Sequence, residues 1–129
     1  PNGGGFVDTG DGELITIGHR STFVGNADAT VATYSTQVGS RQFLYGYKIT
    51  ALGHGIFVGV DPVNPITNPA ISSTSSNVVA IGNEVQVAGG QNIAIGTKSY
   101  IGSTTSGHSV VAIGYAAGSD QANETIVIG

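Results

Sequence analysis

The sequence predicts an all-β fold, a narrow parallel β-roll in which short strands alternate with tight turns. Three observations carry this prediction. Glycine recurs in steps of seven, at Gly18, Gly25, Gly39, Gly46 and Gly53 with Ala32 in the vacant slot, and again at Gly82, Gly89 and Gly96. One and three places before each glycine stand mostly Ile, Val, Leu and Thr, so apolar groups alternate as they do along a strand. Of 129 residues 21 are glycine, Cys, Met and Trp are absent, and only 9% are charged. Small side chains of this kind suit a slender fold better than a broad core.

The elements follow in order. Residues 1–13 open with Pro1-Asn2-Gly3-Gly4-Gly5 and read as a flexible lead-in. Residues 14–59 read as a first roll stack. Residues 60–76 read as an excursion, because Pro62, Pro65, Pro69 and a Ser/Thr run prevent regular strand pairing. Residues 77–129 read as a second stack, with shorter breaks at 103–108 and 119–123. A seven-residue period also marks coiled coils, but a glycine in every heptad costs about 1 kcal/mol each in helix propensity. The charged flanking positions of a coiled coil are missing too. Two seven-residue units therefore make one coil of about 14 residues in a solenoid whose strands stack at roughly 4.8 Å.

The residues one and three before the glycines are assigned to the interior: Ile17, Val24, Val38, Leu52, Val79, Ile81, Ile93, Ile95, Val111 and Ile113. Those two before, among them Gln37, Leu44, Ala51, Phe57, Ala80, Val87, Ala94, Ala112 and Val127, are assigned to the outer face. That outer set is too apolar for a solvent face, so the chain is expected to pack against copies of itself. The glycines are expected to supply the positive φ of the turns.

Three phrases, Asn77-Val78-Val79-Ala80-Ile81-Gly82, Gln91-Asn92-Ile93-Ala94-Ile95-Gly96 and His108-Ser109-Val110-Val111-Ala112-Ile113-Gly114, resemble the head repeat of trimeric autotransporter adhesins, the YadA-like head. Similar modules occur in bacteriophage tail fibres. The likeness covers Asn77 to Gly129 well and Leu14 to Gly59 more loosely. It implies a left-handed roll and a homotrimer. By the same analogy Val79, Ile81, Ile93, Ile95, Val111 and Ile113 fill the interior, and Ala80, Ala94 and Ala112 face neighbouring coils or chains. The family's neck motif and membrane anchor do not occur in these residues, which leaves a bacterial outer-surface adhesin and a virion tail fibre both open.

No catalytic or cofactor-binding constellation stands out. Carboxylates are scattered through the lattice, no Gly-x-Ser-x-Gly elbow occurs, and the glycine clusters lack the lysine of a phosphate loop. His19 and His54 are expected on different sides of the roll, so no metal ligands are assigned within one chain. Four Lys or Arg in a chain of net charge −4 argue against nucleic acid. The apolar runs are too short for membrane insertion. Arg41, Tyr45, Tyr47, Lys48, Lys98 and Tyr100 are the candidate surface-binding residues, since Tyr beside Arg or Lys suits sugars and protein surfaces. The expected function is a non-catalytic trimeric fibre or adhesin segment attaching to a host cell-surface glycan or protein receptor. The alternatives are an ice-binding β-roll and a segment of a polysaccharide-degrading phage tailspike. Thr22, Thr36 and Thr50 recur every 14 residues as an ice-binding face needs, but in the phase assigned to the interior.

Overall fold

The computed structural model describes residues 3–8, 13–19, 22–24, 34–59, 76–102, 109–119 and 124–129. It is all-β. In chain order the strands are β1 (Gly3–Asp8), β2 (Glu13–His19), β3 (Thr22–Val24), β4 (Ser35–Ser40), β5 (Phe43–Tyr45), β6 (Tyr47–His54) and β7 (Phe57–Val58). There follow β8 (Ser76–Asn83), β9 (Gln86–Val87), β10 (Ile93–Ile95), β11 (Tyr100–Ile101), β12 (Val111–Ile113), β13 (Gly118–Ser119) and β14 (Ile126–Ile128). From β2 onward successive strands alternate between two sheets. The larger has eight strands in the order β1-β2-β4-β6-β8-β10-β12-β14, and the smaller has six in the order β13-β11-β9-β7-β5-β3. Among the described residues the pairing is parallel throughout, apart from β1 with β2.

Two expectations about chain organisation change. Residues 3–8 were expected to be a flexible lead-in and instead form β1, antiparallel to β2, with a register irregularity between Gly3 and Gly5. Strand pairing uses backbone groups, so a glycine-rich segment can still add to a sheet edge. Strands β6 and β8 pair with Ala51 beside Ala80 and Leu52 beside Ile81, so the stretches 14–59 and 77–129 share one sheet. The excursion between them lies outside the described residues except for Ser76.

The interior follows the opposite alternation from the one expected. In the larger sheet Gln37, Ala51, Ala80, Ala94 and Ala112 stand in one row, and all are fully buried. Ile49, Val78 and Val110, two residues earlier in their segments, are buried as well. From the smaller sheet Leu44, Val58, Val87 and Ile101 join the same apolar cluster. By contrast Ile17 is 55% exposed, Val38 36%, Ile93 37% and Ile113 38%. Leu52, Val79, Ile81, Ile95 and Val111 are only partly buried and share rows with those four. These nine are outward residues, not core. Val24 belongs to β3, and its side chain lies outside the described residues. The reason is size. The central row of the larger sheet faces Leu, Val and Ile from the smaller one across a narrow gap. Ala fits there, and a branched side chain in every row would overpack it.

The glycines adopt the expected positive φ and have a second role as well. Gly18, Gly39, Gly53, Gly82, Gly96 and Gly114 have φ between +130° and +140°. A Cβ on Gly82 would overlap the carbonyl of Gly96, and one on Gly96 would overlap that of Gly114. These glycines therefore serve close approach of neighbouring strands as well as backbone conformation. The left-handed positions are held largely by other residues, with φ between 50° and 61°: Arg41, Glu84, Lys98 and Ala116 after the strands of the larger sheet, and Tyr34, Lys48, Asn77, Gln91, Ser109 and Glu124 at or near their starts. Each such turn is tied to a neighbour by backbone. Glu84 N–H donates to His54 O, Lys98 N–H to Asn83 O and Ala116 N–H to Thr97 O, each at 2.8 Å.

Buried polar side chains fix the register. Gln42 Nε2 donates to Val38 O (2.9 Å) and Gly53 O (2.7 Å). Ser99 Oγ stands at the equivalent place, 3.0 Å from Ile95 O and 2.9 Å from Gly114 O. Asn92 Oδ1 accepts from Val110 N–H at 2.9 Å, as Ser35 Oγ accepts from Ile49 N–H at 3.1 Å. Each bridges successive strands of one sheet, and a slip of one residue would leave it buried and unpaired, at a cost of about 1–3 kcal/mol.

Gly96→Ala is expected to lower stability by about 3 kcal/mol or more, since both φ and the Gly114 carbonyl oppose it. Ala116→Gly, at an exposed left-handed turn, is expected to change it by less than about 1 kcal/mol. Denaturant unfolding of the two variants checks the contrast.

Candidate functional site

Alternation leaves an apolar stripe on the outer face of the larger sheet. One row runs Ile17, Val38, Leu52, Ile81, Ile95, Ile113 and Ile128. The row beside it runs Thr36, Thr50, Val79, Ile93, Val111 and Ile126. The two C-terminal isoleucines are the most open, Ile126 at 72% and Ile128 at 76% exposed. Polar residues flank the stripe. Lys48, Asn77, Gln91, Ser109 and Glu124 are exposed near the start of each strand, and Ser40, His54 and Asn83 stand in one row at the other end. An apolar centre with a polar margin is the anatomy of a protein–protein contact, and a continuous stripe of this kind is unusual on an isolated surface.

The histidines lie differently from expectation. His19 pairs with Ser40, and Ser40 pairs with His54, so both histidine positions share one row. The expectation assumed a uniform lattice. The step from Ile17 to Val38 is 21 positions, against 14 from Val38 to Leu52. Ser40 Oγ and His54 Nδ1 are hydrogen-bonded at 2.6 Å. Among the described residues no three His, Cys, Asp or Glu come together as metal ligands. Among the same residues no helix is long and apolar enough to cross a membrane.

A second outward surface belongs to the smaller sheet. In the segment Arg41–Phe43 the middle residue, Gln42, is fully buried, as are Val85 in Glu84–Gln86 and Ser99 in Lys98–Tyr100. The residues on either side point outward. Arg41, Lys98 and Tyr100 are thus placed on one strip, joined by Phe43, Glu84 and Gln86. Lys98 Nζ lies 3.9 Å from Glu84 Oε2 with both side chains about half exposed. The other candidates do not join the strip. Tyr45 is only 7% exposed and clusters with Phe57, so it packs instead of offering a surface. Lys48 is exposed near the start of β6, on the margin of the apolar stripe. Tyr47 pairs with Ser76, and its side chain lies outside the described residues.

Phe43 is a member the residue pattern missed, and it packs on the buried Phe57. Their rings stack with centroids 5.5 Å apart and planes 9° from parallel. Their separation by 14 positions was a usable signal, since that interval stacks residues of adjacent strands.

No family model, curated protein or solved structure matches this chain.

The two phases of the larger sheet are separable by charge. Ala112→Asp buries an unpaired carboxylate and is expected to abolish cooperative folding, at a cost of several kcal/mol. Ile113→Asp places it on the outward row and is expected to keep the strand signal in circular dichroism. Equal loss in both would place the two residues in one core.

Proposed function

We propose that the chain is a non-catalytic segment of a trimeric fibre or adhesin, and that the apolar stripe of the larger sheet is where three copies meet. The single observation that supports this is the stripe itself, two rows of Ile, Val and Leu left outward by a core that is already filled. In this reading the two sheets are the walls of a left-handed parallel β-roll with about 14 residues per coil, interrupted by insertions. The likeness of residues 77–129 to the YadA-like head supports the same assembly. The driving force is burial. About ten apolar side chains per chain lose water contact on association, at about 1 kcal/mol each. The assembly presents three copies of any receptor-binding patch, so a weak contact with a host cell-surface glycan or protein gains avidity. A virion tail fibre or the outer surface of a bacterium is where such a segment acts.

A second reading gains from the structure. Thr36 and Thr50 stand outward beside Val38 and Leu52, not inside. These two strands offer an outward Thr to an ice plane, with the stripe facing water in a single chain, although Thr22 stands in the other sheet beside Phe43.

Sedimentation equilibrium distinguishes the two. The trimer predicts three times 12.9 kDa at micromolar concentration, and Ile95→Asp is expected to reduce it to the mass of one chain. A single-chain mass for the unaltered protein, together with shaping of ice crystals, would establish the second reading.

A further inference from the structure

We propose that the outward face of the smaller sheet is a carbohydrate-binding strip centred on Gln86 and Tyr100. This deepens the attachment reading and rests on it for the glycan's source, the host surface. Register places Tyr100 between Gln86 and Gly118. A Cβ built on Gly118 would come 2.5 Å from Tyr100 Cδ1 and 2.7 Å from Cε1. The tyrosine ring therefore lies across the Gly118 backbone instead of standing away from the sheet. Such a Cβ would come closest to Tyr100 O, at 2.2 Å, so only glycine fits beside this residue. Tyr100 is partly exposed, consistent with one covered face and one open face.

The row continues on the other side of Gln86 with Phe57 and then Phe43. Its order is Phe43, Phe57, Gln86, Tyr100, Gly118, one residue per strand at a spacing of roughly 4.8 Å. Phe57 is only 7% exposed and packs with Tyr45, so the open part of the row is Gln86 and Tyr100, a ring with an amide beside it. A pyranose ring has a face of C–H groups and a rim of hydroxyls. The C–H face packs on the electron-rich face of Tyr100. The hydroxyls are met by Gln86, which both donates and accepts. Beside the row stand Glu84 and Lys98, 3.9 Å apart and about half exposed, giving a carboxylate acceptor and an ammonium donor at the same edge. The pairing of opposite charges favours a neutral glycan over a polyanion, as does the chain's net charge of −4. A purely apolar peptide would leave Gln86 and the ion pair without use.

The test uses the full chain on a printed glycan array, then calorimetry with the best-bound neutral oligosaccharide. The unaltered protein is expected to bind at least one neutral glycan. Tyr100→Ala is expected to weaken it about tenfold, while Tyr100→Phe stays within about threefold because the stacking face is kept. Circular dichroism confirms that both variants fold. No glycan bound by the unaltered chain, or equal affinity in Tyr100→Ala, overturns the strip. Attachment to host cells that survives periodate oxidation of their glycans yet is lost in Tyr100→Ala points to a protein receptor and also overturns it. Sedimentation of the same samples separates this from the assembly. A three-chain mass without glycan binding overturns the strip alone, and binding by a single chain supports the strip while the trimer falls.

Discussion

The structure depends on how closely two sheets and their successive strands approach. Along the larger sheet a row of Ala lies against Leu, Val and Ile from the smaller one, and all four Ala of that row are fully buried. Two residues further along, the glycines leave no room for a Cβ against the next strand's carbonyl. Both rows are small for the same reason: there is no volume for anything larger. Strand alternation then decides the rest. If the small residues fill the gap, the Ile, Val and Leu between them have only the outer face.

A narrow interior also needs devices against slippage, because rows of similar residues can shift with little change in apolar burial. The buried polar groups supply them. Asn92 and Ser35 each accept from the backbone N–H of the next strand in their sheet, and Gln42 and Ser99 reach carbonyls of their own and the next strand. With the core small and its register pinned, both outer faces repeat strand by strand. One becomes an apolar stripe with polar margins, the other a strip in which Tyr100 and Gln86 stand beside the Glu84–Lys98 pair. Their different chemistry is the basis of the roles proposed above, assembly for the first and recognition for the second.

The seven-residue rhythm made strands, turns and parallel stacking legible in the sequence, since glycine spacing and alternation are local signals. Which side faced inward was not legible from alternation, because both sides were apolar: Ile93 and Ile95 against Ala94, Val111 and Ile113 against Ala112. Size was the missed cue, with Asn92 and Ser99 as a second one, since polar residues in a glycine-rich repeat point to buried backbone partners. Turn geometry was legible in part, since the glycines carry the positive φ expected of them while other residues hold further left-handed positions. Gln91 and Lys98 tolerate the left-handed region, which leaves glycine free for the close contacts. Of the surface candidates, Arg41, Lys98 and Tyr100 converge, while Tyr45 packs against Phe57. Gln86, 14 positions before Tyr100, was legible from the coil interval, whereas Gly118, 18 positions after it, was not.

The chain has no cysteine, so one introduced thiol reports on a single position. The most direct measurement is cross-linking of Ile95→Cys and Ala94→Cys proteins with a short bis-maleimide at micromolar concentration, read by mass under denaturing conditions. An outward Ile95 on a face shared by copies predicts covalently joined chains for the first variant and single chains for the second. Joined chains for Ala94→Cys, or none for Ile95→Cys, would contradict both the filled interior and the use of the stripe for assembly.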